Sequence, residues 1–189
     1  MGEGGSRTRE SFWVDGLYLD ENGYYGFDGE MDSETFSKAG CNIGRNDMPA
    51  LLFDLVHCGA LDIEKYPNVV IEAWVMAEFP ERKLGRQQWV EWFRKLGYTV
   101  NGEPAEPPEQ VTLYRGDADP SRMAWTSNRF VAEWFRDRWP NGKLWTVTIQ
   151  ADRLLAHCNN VRLDESGQSE DEYVIDPTGI EPQEVEPCR

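Results

Sequence analysis

The residues best suited to chemistry lie in the second half of the chain. Glu170-Asp171-Glu172-Tyr173-Val174-Ile175 sets two carboxylates two positions apart, at the entrance to an apolar run. Side chains alternate along an extended chain, so Glu170 and Glu172 are expected on one face. Two carboxylates held together repel unless a cation, or a positive charge developing during a reaction, lies near them. That arrangement suits proton transfer or stabilisation of a cationic transition state. Taken alone, the segment also reads as a solvated acidic loop.

Two further groups precede it. Leu113-Tyr114-Arg115-Gly116 places an arginine at the end of a short β-like run, where its planar fork can hold a phosphate. Gly116 would let a ligand approach the backbone closely. Ala124-Trp125-Thr126-Ser127 stands directly before an amphipathic segment. Its hydroxyls can cap a helix or bond a bound ribose, and the Trp125 indole can cover an aromatic ring. Each group alone has an ordinary structural explanation: an exposed charge, a helix cap, a core indole.

These groups need elements to position them. Val111 to Arg115 reads as a strand, and Leu144 to Ile149 alternates apolar and hydroxyl residues as a strand does. Arg153 to Ala156 reads as a helical turn or strand end, and Tyr173 to Ile175 as a further strand. Between them, Asn128 to Trp139 is expected to be a helix with Phe130, Val131, Trp134 and Phe135 buried and Thr126 or Ser127 as N-cap. The last segment, rich in acid and proline, is expected to lie extended.

The first half has a different texture. Residues 1–30 read as an irregular lead-in with a flexible glycine-rich end and turns at Asp15-Gly16, Asn22-Gly23 and Asp28-Gly29. Its acidic residues do not follow the calcium-loop order. Helical periodicity then appears at Met48 to Cys58, Val69 to Phe79 and Gln87 to Leu96, with Trp89 and Trp92 at core spacing. Pro104, Pro107 and Pro108 break this pattern, so the sequence divides into a lead-in (1–30), a helical accessory region (31–105) and an α+β core with an acidic tail (106–189).

Composition narrows the function. Hydrophobic residues make up 40% of the 189, with eight Trp, enough for a packed core. A net charge of −15 opposes general nucleic-acid binding and docking on anionic lipid. It is compatible with plain solubility, or with an acidic surface that attracts a basic partner or mimics nucleic acid. Cys41, Cys58, Cys158 and Cys188 show no CxxC spacing, and His57 and His157 stand alone, so no metal site is expected. With no signal peptide or membrane span recognisable, a cytoplasmic protein with reduced thiols is expected.

Read in order, Tyr114-Arg115-Gly116, Trp125-Thr126, Ala132-Glu133-Trp134-Phe135 and Glu170 through Val174 resemble the ADP-ribosyltransferases with the Arg–Ser–Glu signature. They resemble in particular actinobacterial and phage members with a Glu-x-Glu motif. The resemblance covers about residues 111–177 and implies a split, mostly antiparallel β core with NAD in its cleft. It implies that Arg115 and Gly116 hold the NAD phosphates or adjoining ribose, and that Thr126 and Ser127 support the NAD site with Trp125 near the nicotinamide. Glu172 would bond the nicotinamide ribose, and Glu170 would orient or deprotonate the acceptor. Arg115 and Glu172 would then face one cleft.

The implied activity is transfer of ADP-ribose from NAD, as substrate and without metal, to a protein side chain. Arginine is the expected acceptor, on a basic host protein, with the chain acting as a bacterial or phage toxin or effector. NAD hydrolysis and a catalytically inert acidic module on the same fold are the alternatives. One departure stands out: related proteins carry Ser where this chain has Ala124.

Overall fold

The computed structural model describes residues 14–160 and 169–186, and the expected flexible end at Gly2, Gly4, Gly5 and Ser6 lies outside them. The chain divides into two compact units, one ending at Trp92 and the other beginning at Phe93.

The first unit opens with an antiparallel hairpin, β1 (Leu17–Leu19) and β2 (Tyr25–Phe27), with the expected turn at Asn22-Gly23 between its strands. Gly23 has a φ of 83°, which is why a glycine is needed there. Helices α1 (Ser33–Ile43), α2 (Met48–His57), α3 (Asn68–Met76) and the short α4 (Pro80–Lys83) follow. α5 (Arg86–Leu96) begins in this unit. α2, α3 and α5 match the expected apolar periodicities. Leu51, Leu52, Leu55, Val69, Val70 and Trp74 are all buried. Trp89 meets Trp74 edge to face at 5.2 Å and Trp92 at 5.8 Å, so both α5 indoles belong to the core.

α1 was not legible in the pattern. It buries only Phe36, Ala39 and Gly40, and is started by the Asp32 carboxylate accepting from Thr35 N at 2.8 Å.

The second unit is built on an eight-stranded sheet: β3 (Thr99–Val100), β4 (Glu103–Pro104), β5 (Gln110–Asp117), β6 (Ala124–Thr126), β7 (Lys143–Gln150), β8 (Leu154–Cys158), β9 (Glu172–Ile175) and β10 (Gln183–Glu184). Their spatial order is β10-β7-β5-β6-β9-β8-β3-β4, and every pairing is antiparallel except β3 with β8. The protein is therefore α+β with a mostly antiparallel sheet.

The sheet is uneven at its middle. β5 pairs with β7 along its whole length, from Gln110↔Gln150 to Asp117↔Lys143, but meets β6 at the single pair Tyr114↔Thr126. The halves β10-β7-β5 and β6-β9-β8-β3-β4 are thus joined at one paired position. Leu113 and Ile149 from the first half pack with Trp125, Leu154, Tyr173 and Ile175 from the second in one cluster.

The boundary expected near residue 105 falls earlier, within α5. The reason is that Thr99-Val100 enter the sheet beside β8 and β4 pairs with them, so residues 101–110 stay within one sheet instead of linking two bodies.

The second unit's helix, α6 (Arg129–Asp137), differs from expectation in both cap and buried face. Asn128, not Thr126 or Ser127, is the N-cap, its side chain accepting from Phe130 N at 3.0 Å. Val131 and Ala132 are fully buried, whereas Phe130 and Trp134 are 60% and 39% exposed. Gly116 explains this: a Cβ there would lie 1.8 Å from Ala132 O, so α6 sits close enough to β5 that its small residues must face the sheet. Among the described residues, no helix is long and apolar enough to cross a membrane.

Candidate functional site

The sheet register decides which expected residues meet. Thr126 lies opposite Glu172 in the β6–β9 ladder, and Cys158 lies opposite Glu172 in the β8–β9 ladder. Paired residues project from one face, so Thr126, Glu172 and Cys158 share a side of the sheet. Cys158 is fully buried. Burial first, and the Glu172 charge second, push its thiol well above the ordinary range.

The hydroxyls at 126 and 127 bind the acidic segment directly. Thr126 Oγ1 donates to Glu170 O at 2.7 Å and accepts from Asn128 N at 3.0 Å. Ser127 N donates to Asp171 O at 3.3 Å, and Ser127 Oγ donates to the Asp171 carboxylate. Two segments more than forty positions apart are thereby stitched together. Thr126, Ser127, Glu170 and Glu172 form one cluster.

The expected extended run through Glu170 and Glu172 does not hold. β9 begins only at Glu172, and Asp171 adopts a φ of 48°, in the left-handed region. Alternation therefore breaks at Asp171, and the orientation of Glu170 relative to Glu172 is set by a turn. Glu170 is half-buried; desolvation raises its carboxyl above the ordinary value, and the Arg138 charge opposes that rise.

Asp171 brings in a residue that sequence reading set aside. Its carboxylate pairs with His157 Nε2 at 2.7 Å, and the imidazole stacks on Tyr173 with ring centroids 4.0 Å apart. Asp171 N donates to Ser169 Oγ at 3.0 Å, and Ser169 Oγ donates to Asn159 O at 2.5 Å. Nothing in the spacing of His157 and Asp171 signals this pairing; only the β8–β9 register creates it. Beside them, burial pushes the Tyr98 hydroxyl up to about 12, with smaller contributions from Tyr173, Cys158 and Asp171.

Three expected ligand residues have structural work instead. Arg115 Nε donates to Asp119 O at 3.0 Å, Nη1 to Ala124 O at 2.5 Å, and Nη2 to the Asp117 carboxylate. Its side chain is only 15% exposed. The fork that was to meet phosphate instead folds the 117–124 connection onto β6. Since Tyr114 shares a face with Thr126 and Glu172, the adjacent Arg115 projects from the opposite face. The expected convergence of Arg115 and Glu172 on one cleft is not what this sheet builds.

Gly116 admits α6, not a ligand: its missing side chain leaves room for Ala132 O and Arg136 N. Trp125 is 2% exposed within the core cluster, its Nε1 donating to Arg122 O at 2.8 Å, so its ring cannot cover a bound nicotinamide.

A cavity of about 680 Å³ lies along β7, lined by residues including Thr112, Thr148, Gln150, Asp152, Arg153 and Glu181. None of the expected site residues lines it. Among the described residues, no group of three or more His, Cys, Asp or Glu could hold a metal ion. No protein family matches this chain, and no curated protein or solved structure is significantly similar to it.

Proposed function

We propose that this protein is an ADP-ribosyltransferase that uses NAD as substrate and modifies a protein side chain, with arginine the acceptor class. The observation that carries the reading is the cluster in which Thr126 and Ser127 hold the Glu-x-Glu segment while Glu172 lies opposite Thr126 in the ladder. A residue pattern spread over more than forty positions is joined by its own hydrogen bonds. The sheet's one-pair junction between β5 and β6 is in keeping with a split antiparallel core.

The chemistry follows from the residue types. Breaking the bond between the nicotinamide nitrogen and ribose C1′ sends the electron pair to the leaving nicotinamide and leaves an oxocarbenium-like ribose. A fixed Glu172 carboxylate stabilises that cation more than it stabilises bound NAD, which is what lowers the barrier. The acceptor nitrogen then forms the new bond to C1′ and gives up a proton. Glu170, its carboxyl raised by desolvation, is the base suited to receive it. Arg115 serves as scaffold for the neighbouring turn.

Glu172→Gln tests this reading. It keeps the side-chain shape, removes the charge, and should lower NAD turnover by about 10²–10³-fold with folding intact. Unchanged turnover would remove Glu172 from the mechanism. If free ADP-ribose accumulates without an acceptor while no protein becomes labelled, the enzyme is a glycohydrolase.

A second reading, an inert acidic module, is favoured by three observations: the occupied Arg115 fork, the buried Trp125 and Ala124 in place of serine. Absence of calorimetric heat with millimolar NAD would favour it.

A further inference from the structure

Asp171 lies between the two glutamates and has every polar group engaged. Its N–H donates to Ser169, its carbonyl accepts from Ser127, and its carboxylate takes both the Ser127 hydroxyl and the His157 imidazole. Its backbone sits at a φ of 48°, in the left-handed region that Asp and Asn enter more readily than other side chains. Tyr173, the second residue after it, stacks on the same imidazole and so ties the start of β9 to β8.

We infer that Asp171 is a positioning residue: clamped by Ser127 and His157, it holds the turn that orients Glu170 relative to Glu172. This rests on the reading that those two glutamates act on NAD and acceptor, while the geometry it describes is independent of that reading. The pair cannot be aligned by strand alternation, because the strand starts after the turn. Without the clamp, Glu170 would keep only the Thr126 hydroxyl bond to its carbonyl, and its side chain would leave its half-buried place while Glu172 stayed in the ladder between Thr126 and Cys158.

The left-handed φ supplies a clean variant. Asp171→Gly removes the carboxylate but favours the backbone conformation, so folding should survive. Asp171→Asn also tolerates that region and keeps an oxygen for the Ser127 hydroxyl. The first readout is the titration of the Glu170 carboxyl, followed by carbon-13 NMR. It should lie above the ordinary glutamate range in the wild type and in Asp171→Asn, and fall back toward it in Asp171→Gly.

The second readout is NAD turnover. In Asp171→Gly kcat should fall by about ten- to a hundredfold, the scale of a misplaced catalytic group, with KM for NAD unchanged. Asp171→Asn should restore most of it. Should Asp171→Gly fail to fold, Ser127→Ala combined with His157→Gln removes both partners and leaves residue 171 intact, and the same displacement of the Glu170 titration is expected.

An unmoved Glu170 titration in Asp171→Gly, or in the Ser127→Ala/His157→Gln double variant, overturns the inference, whatever happens to NAD. If the titration moves but the wild type consumes no NAD, the clamp stands and the proposed reaction falls.

Discussion

Gly116→Ala offers a quantitative test of how the second unit is assembled. The added Cβ would lie 1.8 Å from Ala132 O, 2.4 Å from Arg136 N and 2.9 Å from Ala132 C. All three are backbone atoms of α6, so no side chain can swing away to relieve the contact. Restoring even a tight contact of about 3.2 Å requires the helix to lift by more than about 1 Å, opening the packing of Val131 and Ala132 over the sheet. Insertions of this kind cost about 1–3 kcal/mol when the neighbours can adjust, and a rigid backbone neighbour places this one at the upper end or beyond. A loss of about 3 kcal/mol corresponds to a fall of roughly 6–12 °C in Tm for a chain of this size. Thermal and urea unfolding read it directly. Stability within about 0.5 kcal/mol of the wild type, the range of an ordinary surface substitution, would refute the close packing of α6 on β5.

Two other substitutions separate structural from chemical roles. Arg115→Lys should destabilise the protein by about 2 kcal/mol in urea unfolding, since one ammonium cannot replace a fork spread over Asp117, Asp119 O and Ala124 O; a neutral result would return Arg115 to the list of ligand residues. Glu170→Gln should stabilise the fold at neutral pH by a few tenths of a kcal/mol, discounted for solvent screening. The sign follows from linkage: a carboxyl whose folded-state pKa is raised costs stability once ionised, so the gain should shrink as pH falls through the raised folded-state value and be absent below the unfolded value of 4.5. A gain that persists at pH 3 would show that charge is not its origin.

How much of this could be read from the sequence depends on how local the signal was. α2, α3 and α5 announce themselves through apolar stripes, and β5, β7 and β9 through alternation or short apolar runs. β6 has only three residues, and its partners come from far along the chain, so it carried no periodic signal. α6 misled because Phe130 and Trp134 form the most apolar stripe by residue type, while Gly116, distant in sequence, selects the smaller Val131 and Ala132 for the interior.

At the site, the β6–β9 register joins Thr126 and Ser127 to the acidic segment across more than forty positions. The fate of Arg115 was hinted at by Asp117 and Asp119, two acidic residues close behind it that invite a local turn. Asp171 and His157 were overlooked because a pairing created by strand register leaves no trace in residue spacing.

Under the proposed function, NAD loses its nicotinamide beside Glu172. Incubating the purified protein with NAD carrying a label in the nicotinamide ring, with and without an arginine-rich acceptor, tests it most directly. Released nicotinamide is expected from the wild type and almost none from Glu172→Gln. Equal release from both proteins, or no release together with no NAD binding, would contradict it.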